Sequence, residues 1–420
     1  MESLIALRAS SENPQCSDGS NASPIDRISN LPEPIICYIL SLLPTDAAIV
    51  TSSLSKSWQF LWTKVSVVDL DFCSCAFDVI EIVEIVNKVL IQLKSEKLDK
   101  FRLCGTDVDW DRVNVSKWLS EAIARNVKVI DMGLGDFVDG EPIQLPATLF
   151  TCETLESLRL GGPFLIEVPG TVHLPKLAVL ELDDVFYKCD KAFHEFISSC
   201  SGLYSLSVYR KNLNDGLIVC AISSRSLRFL QLVYYYDDID DASLWNKHLK
   251  IEAPALEHLI LTDAVSIMFS LEGLISLRKV ELDLNDQCCD RYCNLVVKQV
   301  EAMNCVKVLK LTGETWVSLT HATTRLSAKF EKLTKLYITY SDWTSYAYWG
   351  DFTWSFLNDL LDCSAKLEVL QITKDSGCKR GYAPGHKHEI CWRKPSKVPE
   401  CLSRSLAQVS FYGFEGLPMS

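Results

Sequence analysis

The sequence predicts an α/β protein: three short N-terminal helices followed by an irregular repeat solenoid, a horseshoe with parallel strands on its concave face. Two observations lead there. The pattern apolar-x-x-apolar-x-apolar recurs from Leu98 to the C-terminal region. A dense apolar block at 25–62, interrupted by prolines at helix-start and helix-stop positions, precedes it.

Residues 1–24 are rich in Ser, Asn and Pro and lack periodicity, so a disordered leader is expected there. They hold Glu2, Arg8 and Glu12 and no apolar stretch of signal-peptide length. In the next block, Pro32 and Pro34 sit where a helix start tolerates proline. Ile35, Ile36, Ile39, Leu40, Leu42 and Leu43 then follow with helical spacing, and Pro44 stops that helix. Thr45 is expected to cap a second helix over 46–52, and a third to run from about Ser55 through Trp58 and Trp62, four apart on one face. So small a bundle cannot bury all its apolar side chains. Leu31, Pro32, Ile35, Ile39 and Trp58 are expected to form an exposed patch, the mark of a partner site.

The repeat reads Leu98/Phe101/Leu103, Val127/Ile130/Met132, Leu155/Leu158/Leu160, Leu177/Leu180/Leu182, Leu203/Leu206/Val208 and Leu227/Leu230/Leu232. It goes on as Leu256/Leu259/Leu261, Leu277/Val280/Leu282, Val306/Leu309/Leu311, Leu333/Leu336/Ile338 and Leu367/Leu370/Ile372, with a weaker copy at Leu406/Val409/Phe411. Leu98 and Leu367 open the first and last clear copies, a mean step of about 27, inside the leucine-rich-repeat range of about 20–29. The closing apolar-x-apolar triplet has period two, hence a short strand with one buried face. Helical stripes lie between strands at Trp118/Leu119/Ala122/Ile123, Phe193/Phe196/Ile197/Cys200, Leu295/Val296/Gln299/Val300/Met303 and Phe356/Leu357/Leu360/Leu361. The Asn or Cys that usually follows the last apolar position is replaced by Pro163, Val185, Ala264 and Glu314, with Asn285 an exception, so irregular turns are expected. Gly133-x-Gly135 and Gly161-Gly162 fall at strand ends, as turn residues.

Of 420 residues, 48% are hydrophobic and 23% charged, the composition of a globular chain with a large core. The net charge of −12 disfavours nucleic acid as a partner. The 17 cysteines, an odd number, are scattered from Cys16 to Cys401 without paired spacing, and no run reaches membrane-span length. Reduced thiols, no membrane partner and a place in the nucleus or cytoplasm are the expectations. Cys378, His386, His388 and Cys391 match no common zinc spacing, nor do Cys288, Cys289 and Cys293. No nucleophile elbow, phosphate loop or His-Glu-x-x-His is present, so neither a catalytic site, a metal nor a cofactor is expected.

The N-terminal block resembles the F-box, above all the plant version opening Asp-Arg-Ile-Ser-x-Leu-Pro, here Asp26 to Pro32, and closing Leu-Ser-Lys-x-Trp-x-x-Leu-Trp, here Leu54 to Trp62. The resemblance implies binding to a Skp-type adaptor and, through it, to cullin and RING subunits. By position it implies that Leu31, Pro32, Ile35, Ile39, Leu42 and Pro44 form the first part of that contact, and that Leu54, Ser55, Trp58 and Trp62 form or support the rest. The family usually has Arg before the tryptophan; Ser57 stands there, and the missing guanidinium would weaken the contact by about 1–3 kcal/mol. Trp392, Pro395, Val398-Pro399-Glu400-Cys401-Leu402 and Phe411-x-Gly413-Phe414-Glu415-Gly416 look like the start of an FBD domain. Since the family domain runs further than Ser420, a poorly capped repeat core is expected. The resulting organisation is a leader at 1–24, an F-box at 25–70, leucine-rich repeats at 71–385 and a partial FBD-like segment at 386–420.

The resemblance implies a non-catalytic, substrate-choosing subunit of an SCF-type (cullin–RING) ubiquitin ligase. A scaffold or decoy with a weakened F-box, and a small-molecule-gated receptor, are the alternatives. In each triplet the middle residue should face outward: Arg102, Asp131, Arg159, Glu181, Ser207, Gln231, Ile260, Glu281, Lys310, Tyr337 and Gln371. Flanking outward positions add Tyr209, Phe229, Val233 and His258. Tyr209, Phe229, Gln231, His258 and Tyr337 are the expected substrate-binding residues, with solvent-facing Phe229 contributing affinity and little stability. A second aromatic group, Trp343, Tyr346, Tyr348, Trp349 and Phe352, suits a binding loop, with Trp354 packing at a helix start.

Overall fold

A computed structural model describes residues 31–73, 77–105, 110, 112–135, 141–211, 214–234, 247–263, 266–284, 290–341, 355–375 and 398–413. The leader, the aromatic group at 343–354, Cys378 to Pro395, Cys288 and Cys289, Ala264, Asn285 and 414–416 lie outside the described residues. The chain divides into two compact units, Met1–Lys188 and Cys189–Ser420.

The first unit opens with α1 (Glu33–Ser41), which starts after Pro32, and α2 (Thr45–Val50). Pro44, with extended backbone, takes the position before α2, so Thr45 is the first helical residue and not its cap. The Thr45 hydroxyl is used elsewhere: it accepts the Asp69 N–H at 2.8 Å. The expected third helix is instead a chain of three-residue turns ending in a 3-10 segment, Leu61–Lys64. Trp58 N–H bonds to Ser55 O at 3.0 Å and Leu61 N–H to Trp58 O at 3.1 Å, an i→i+3 ladder.

The strands β1 (Val67–Asp71), β2 (Lys100–Cys104), β3 (Val129–Gly133), β5 (Ser157–Gly161) and β7 (Val179–Asp183) follow side by side, all parallel. The last four carry the repeat triplets. β1 carries a copy the sequence reading passed over, Val65/Val68/Leu70, all three buried. Helix α3 (Val79–Gln92) joins β1 to β2, opened by a reciprocal cap between Asp78 and Glu81. Helix α4 (Arg112–Ala124) joins β2 to β3. The later connections carry the small parallel strands β4 (Ile143–Gln144), β6 (Phe164–Ile166) and β8 (Phe186–Tyr187), which pair with one another in that order. The turn after β5 requires glycine: Gly162 has φ +109°, and a Cβ there would meet Gly135 O at 2.7 Å.

In the second unit, α5 (Asp190–Ser199) leads into β9 (Ser205–Arg210), β11 (Phe229–Tyr234), β13 (His258–Asp263), β15 (Lys279–Leu284), β16 (Val308–Thr312), β17 (Lys335–Ser341), β18 (Val369–Asp375) and β19 (Gln408–Tyr412). Each pairs in parallel with the next. A second parallel sheet lines up β10 (Val219–Ser223), β12 (Lys247–Glu252) and β14 (Ser266–Glu272). These connections are strands because their apolar residues, Cys220/Ile222 and Leu249/Ile251, recur with period two. Helices α6 (Asp290–Ala302), α7 (Gly313–His321), α8 (Ser355–Asp362) and α9 (Glu400–Arg404) fill the later connections. The inward triplet residues from β9 to β18 are buried; on β19 the inward Val409 and Phe411 are exposed.

At the end of β9 the apolar rule of the inward positions breaks. Arg210 ends β9 on the core side and is fully buried with Asp215 (1% and 2% exposed). The pair is bidentate, Nε–Oδ2 2.6 Å and Nη2–Oδ1 2.8 Å. Arg210 also donates to Leu217 O at 2.9 Å and lies 4.8 Å from the ring of Tyr234, its register partner on β11. Lys247 Nζ reaches the same Leu217 carbonyl at 2.7 Å, and burial, then the Arg210 charge, pushes its pKa down. Removing one member of a buried pair strands the other. Asp215→Ala is expected to cost about 3–5 kcal/mol in urea unfolding, whereas Arg210→Met with Asp215→Leu should cost far less. Equal losses for the two would show that the pair itself holds the site together.

Candidate functional site: two protein-interaction surfaces

Helix α1 is apolar on every side, and its two faces have different fates. Ile36 and Leu40 point inward and pack toward the 61–64 turn. Ile35, Tyr38, Ile39 and Leu42, spaced i, i+3, i+4, i+7, form an exposed stripe that Leu31 and Leu43 extend; Leu42 is 67% exposed. Pro32 and Pro44, at the two ends, are exposed as well.

The turn segment adds to the stripe, with a different set from the expected one. In i→i+3 geometry every third residue eclipses. Leu54, Ser57 and Phe60 therefore face out, while Ser55, Trp58 and Leu61 face in. Trp58 is only 4% exposed and Trp62 2%, so Trp58 is a core residue and not part of the exposed patch. Both tryptophans support the surface from beneath. Tyr38, Leu43 and Phe60 were missed; a three-residue period through 54–60 would have found Phe60. Ser57 Oγ lies 2.7 Å from Ser55 Oγ, a hydroxyl pair where the F-box pattern has a guanidinium.

This patch is fixed to the repeats beneath it. Besides the Thr45–Asp69 bond, Lys94 N–H donates to Thr63 O at 2.7 Å, and the Lys94 ammonium stands 5.8 Å from the Phe60 ring.

The outward row of the first unit is a ladder of alternating charge. Asp69, Arg102, Asp131, Arg159 and Glu181 are successive register partners across β1, β2, β3, β5 and β7. Arg102 bonds Asp69 at 2.9 Å and Asp71 at 2.8 Å and reaches Asp131 at 3.5 Å; Arg159 bonds Asp131 at 3.1 Å and Glu181 at 2.8 Å. Each of the three inner rungs has two neighbours of opposite sign and each end rung has one, so the charges of the row are paired within it.

The outward rows of the second unit are mixed. Phe229 on β11 meets His258 on β13 edge to face, centroids 5.0 Å apart at 86°. Gln231 and Ile260 are the next pair along the same strands. Tyr337 lies further along that row, beyond Glu281 and Lys310, whose ion pair is 2.5 Å. Tyr209 sits on β9, two outward rows away from Phe229. The structure thus brings together Phe229, His258 and Gln231 with Ile260, and leaves Tyr209 and Tyr337 apart from them. Val233, expected outward, is buried.

A family model described as "FBD-associated F-box protein At5g56370, LRR repeats" matches residues 115–338, and the F-box domain model matches residues 28–69. The chain is 30% identical to the Arabidopsis thaliana F-box/FBD/LRR-repeat protein At3g52680, over 91% of its own length and 77% of that protein. It is 30% identical to F-box/FBD/LRR-repeat protein At4g00160 of the same plant, over 90% of its length and 78% of that protein. With F-box/LRR-repeat protein At3g26922, also of Arabidopsis thaliana, it shares 34% identity over 58% of its length and 78% of that protein. The chain belongs to the plant F-box/FBD/LRR-repeat family.

Within the leucine-rich repeats, His258 is the outward residue with the most telling environment. Among the described residues, its buried Nε2 has no hydrogen-bond partner. Burial, then the Lys279 charge on β15, pushes its pKa below the ordinary 6.5, with Glu281 opposing. Phe229 is therefore a half-buried neighbour as well as an outward one, and its loss removes an aromatic pair worth about 0.5–1.5 kcal/mol. A folded-state His pKa below the unfolded value means that the unfolded chain binds more protons in that window. Stability from His258 is then present above about pH 6.5 and lost as pH falls through the lower folded value. Titration by NMR is expected to find His258 below 6.5, and Phe229→Ala to move it back up. An unchanged value in Phe229→Ala would mean that the phenylalanine is not what covers the ring.

Proposed function

We propose that this protein is the substrate-recognition subunit of an SCF-type cullin–RING ubiquitin ligase, acting in the nucleus or cytoplasm. The F-box binds a Skp-type adaptor, and the leucine-rich repeats bind the protein to be ubiquitinated. The observation that carries this reading is the exposed stripe of α1, continued by Leu54 and Phe60, on a block held in place by Thr45, Trp58 and Trp62. Exposed apolar side chains so closely grouped are stable in water only at a cost, and covering them releases roughly 25 cal/mol per Å². The chain performs no bond chemistry in this role. Its contribution is to hold a substrate at a fixed distance from a ubiquitin-charged enzyme and so to raise the effective concentration of the acceptor lysine.

The repeats suit such a task because neighbouring strands fix their outward side chains. In the first unit the charged row satisfies itself; in the second, Phe229, His258, Gln231 and Ile260 are a compact group of mixed polarity, available for contact. Large side chains with few torsions lose little entropy on binding.

Ser57 favours a second reading, a scaffold that binds its partner through the repeats but holds the adaptor weakly. Capture of a purified Skp-type adaptor separates the two. The wild-type chain is expected to bind, and both Leu31→Ala/Pro32→Ala and Ile35→Asp/Leu42→Asp to lose at least about tenfold in affinity, 1.4 kcal/mol, with an unchanged melting temperature. Trp58→Ala should instead lower the melting temperature. Undiminished binding by the Ile35→Asp/Leu42→Asp variant would exclude the stripe as the interface. Binding seen only after Ser57→Arg would establish the scaffold.

A further inference from the structure

We infer that Cys73 and Cys104 are a redox-responsive thiol pair that closes to a disulfide by exchange with a small disulfide of the glutathione class. Their Sγ atoms lie 3.2 Å apart although the residues are 31 apart in sequence. Both thiols are free. Other cysteines use their sulfur differently: Cys37, Cys200 and Cys401 each approach a backbone carbonyl.

The strand register creates the approach. Cys104 ends β2 opposite Asp71, the last residue of β1. The chain then turns: Phe72 N–H donates to Cys104 O at 2.7 Å, and Cys73 N–H to Asp71 Oδ1 at 3.0 Å. Asp71 is itself held by Arg102 at 2.8 Å. These bonds swing the Cys73 side chain over Cys104. On the next strand Gly133 is in register with Cys104, and its missing Cβ, which would lie 3.4 Å from the Cys104 sulfur, leaves that sulfur room to move. A disulfide needs its sulfurs at about 2.05 Å, so closure takes a shift of roughly 1 Å in an exposed turn.

The two thiols divide the work. Cys73 is exposed and meets the small disulfide first. Its thiolate attacks one sulfur, forming a mixed disulfide and releasing one small thiol. Cys104 then gives up its proton and attacks Cys73 Sγ, and the second small thiol leaves. One small disulfide is reduced to two thiols, which take the two protons, as two protein thiols are oxidised to one disulfide. Cys104 is poorly suited to the first attack: burial, then the neighbouring Cys73 thiol and Asp71, push its pKa up to about 11. The donor atoms of Asp71, Cys73 and Cys104 also lie within 4.8 Å of one another, as a metal site would require. The Asp71 carboxylate already accepts from Arg102 and Cys73, which favours the thiol pair.

The test is site-resolved alkylation of the full chain equilibrated in glutathione buffers of rising disulfide fraction, read by peptide mass. Cys73 and Cys104 are expected to leave the alkylatable pool together and to return as one cross-linked peptide, lighter by two hydrogens. Cys104→Ser should trap glutathione on Cys73, and Cys73→Ser should leave Cys104 alkylatable at the same buffer ratio. Persistent glutathione on Cys73 of the wild-type chain, or a link from Cys73 to Cys75, would overturn the inference. So would protection of both thiols that a chelator removes without a change of mass, which would mark a metal site.

Discussion

A strand of five residues with one apolar face cannot bury that face alone. Everything else in this protein follows from how the chain meets that constraint. Each unit answers by laying the next copy alongside in parallel, so that Leu103, Met132, Leu160 and Leu182 make one buried row and Val208, Leu232, Leu261, Leu282, Leu311 and Ile338 another. What joins the strands is secondary. A helix does it where the apolar residues follow a 3.6-residue period, and a short return strand where they alternate with period two.

Fixing the inner row also fixes the outer one. Register partners stand about 4.8 Å apart, so an outward residue interacts first with the residues beside it on neighbouring strands. In the first unit this spacing turns Asp69, Arg102, Asp131, Arg159 and Glu181 into a closed electrostatic ladder. Partial burial would raise the Asp71 carboxyl at its edge, yet the Arg102 and Cys73 hydrogen bonds hold it below the ordinary range. In the second unit the same geometry sets Phe229 edge-on to His258. One architecture thus yields a self-satisfied face and an open one, and the difference lies in which side chains occupy the outward positions, in the middle of each triplet and beside it.

Much of this was legible in the sequence, because inward leucines are a periodic signal that survives irregular spacing. All twelve triplets, the weak one at Leu406 included, became strands. The Val65/Val68/Leu70 copy escaped notice because it abuts the helical block and merges with its apolar run. The outcome at Trp58 shows a different limit. Spacing four apart suggested an α-helix, but the chain there bonds i→i+3, and a change of period from 3.6 to 3 moves residues between faces. Arg210 and Val233 were misplaced or overlooked for a third reason. Near strand ends a side chain is claimed by whatever loop closes over it, and Asp215 and Leu217 are not neighbours that strand alternation reveals.

The F-box takes its rigidity from the same constraint. Its inner face is used up against the first repeat: Trp58, Trp62 and Val65 are buried, and the Thr45 hydroxyl is spent on Asp69 of β1. Among the described residues the outer stripe of α1 has no such partner and stays exposed. The account therefore requires that the helical block and the first strands fold as one cooperative body. Native-state hydrogen exchange tests this most directly. The amides of α1 and α2 should open with the same free energy as those of β1 and β2, and Thr45→Val should lower both together. Helices that exchange freely while the strands stay protected would contradict it, and would make the F-box a separate module tethered to the repeats.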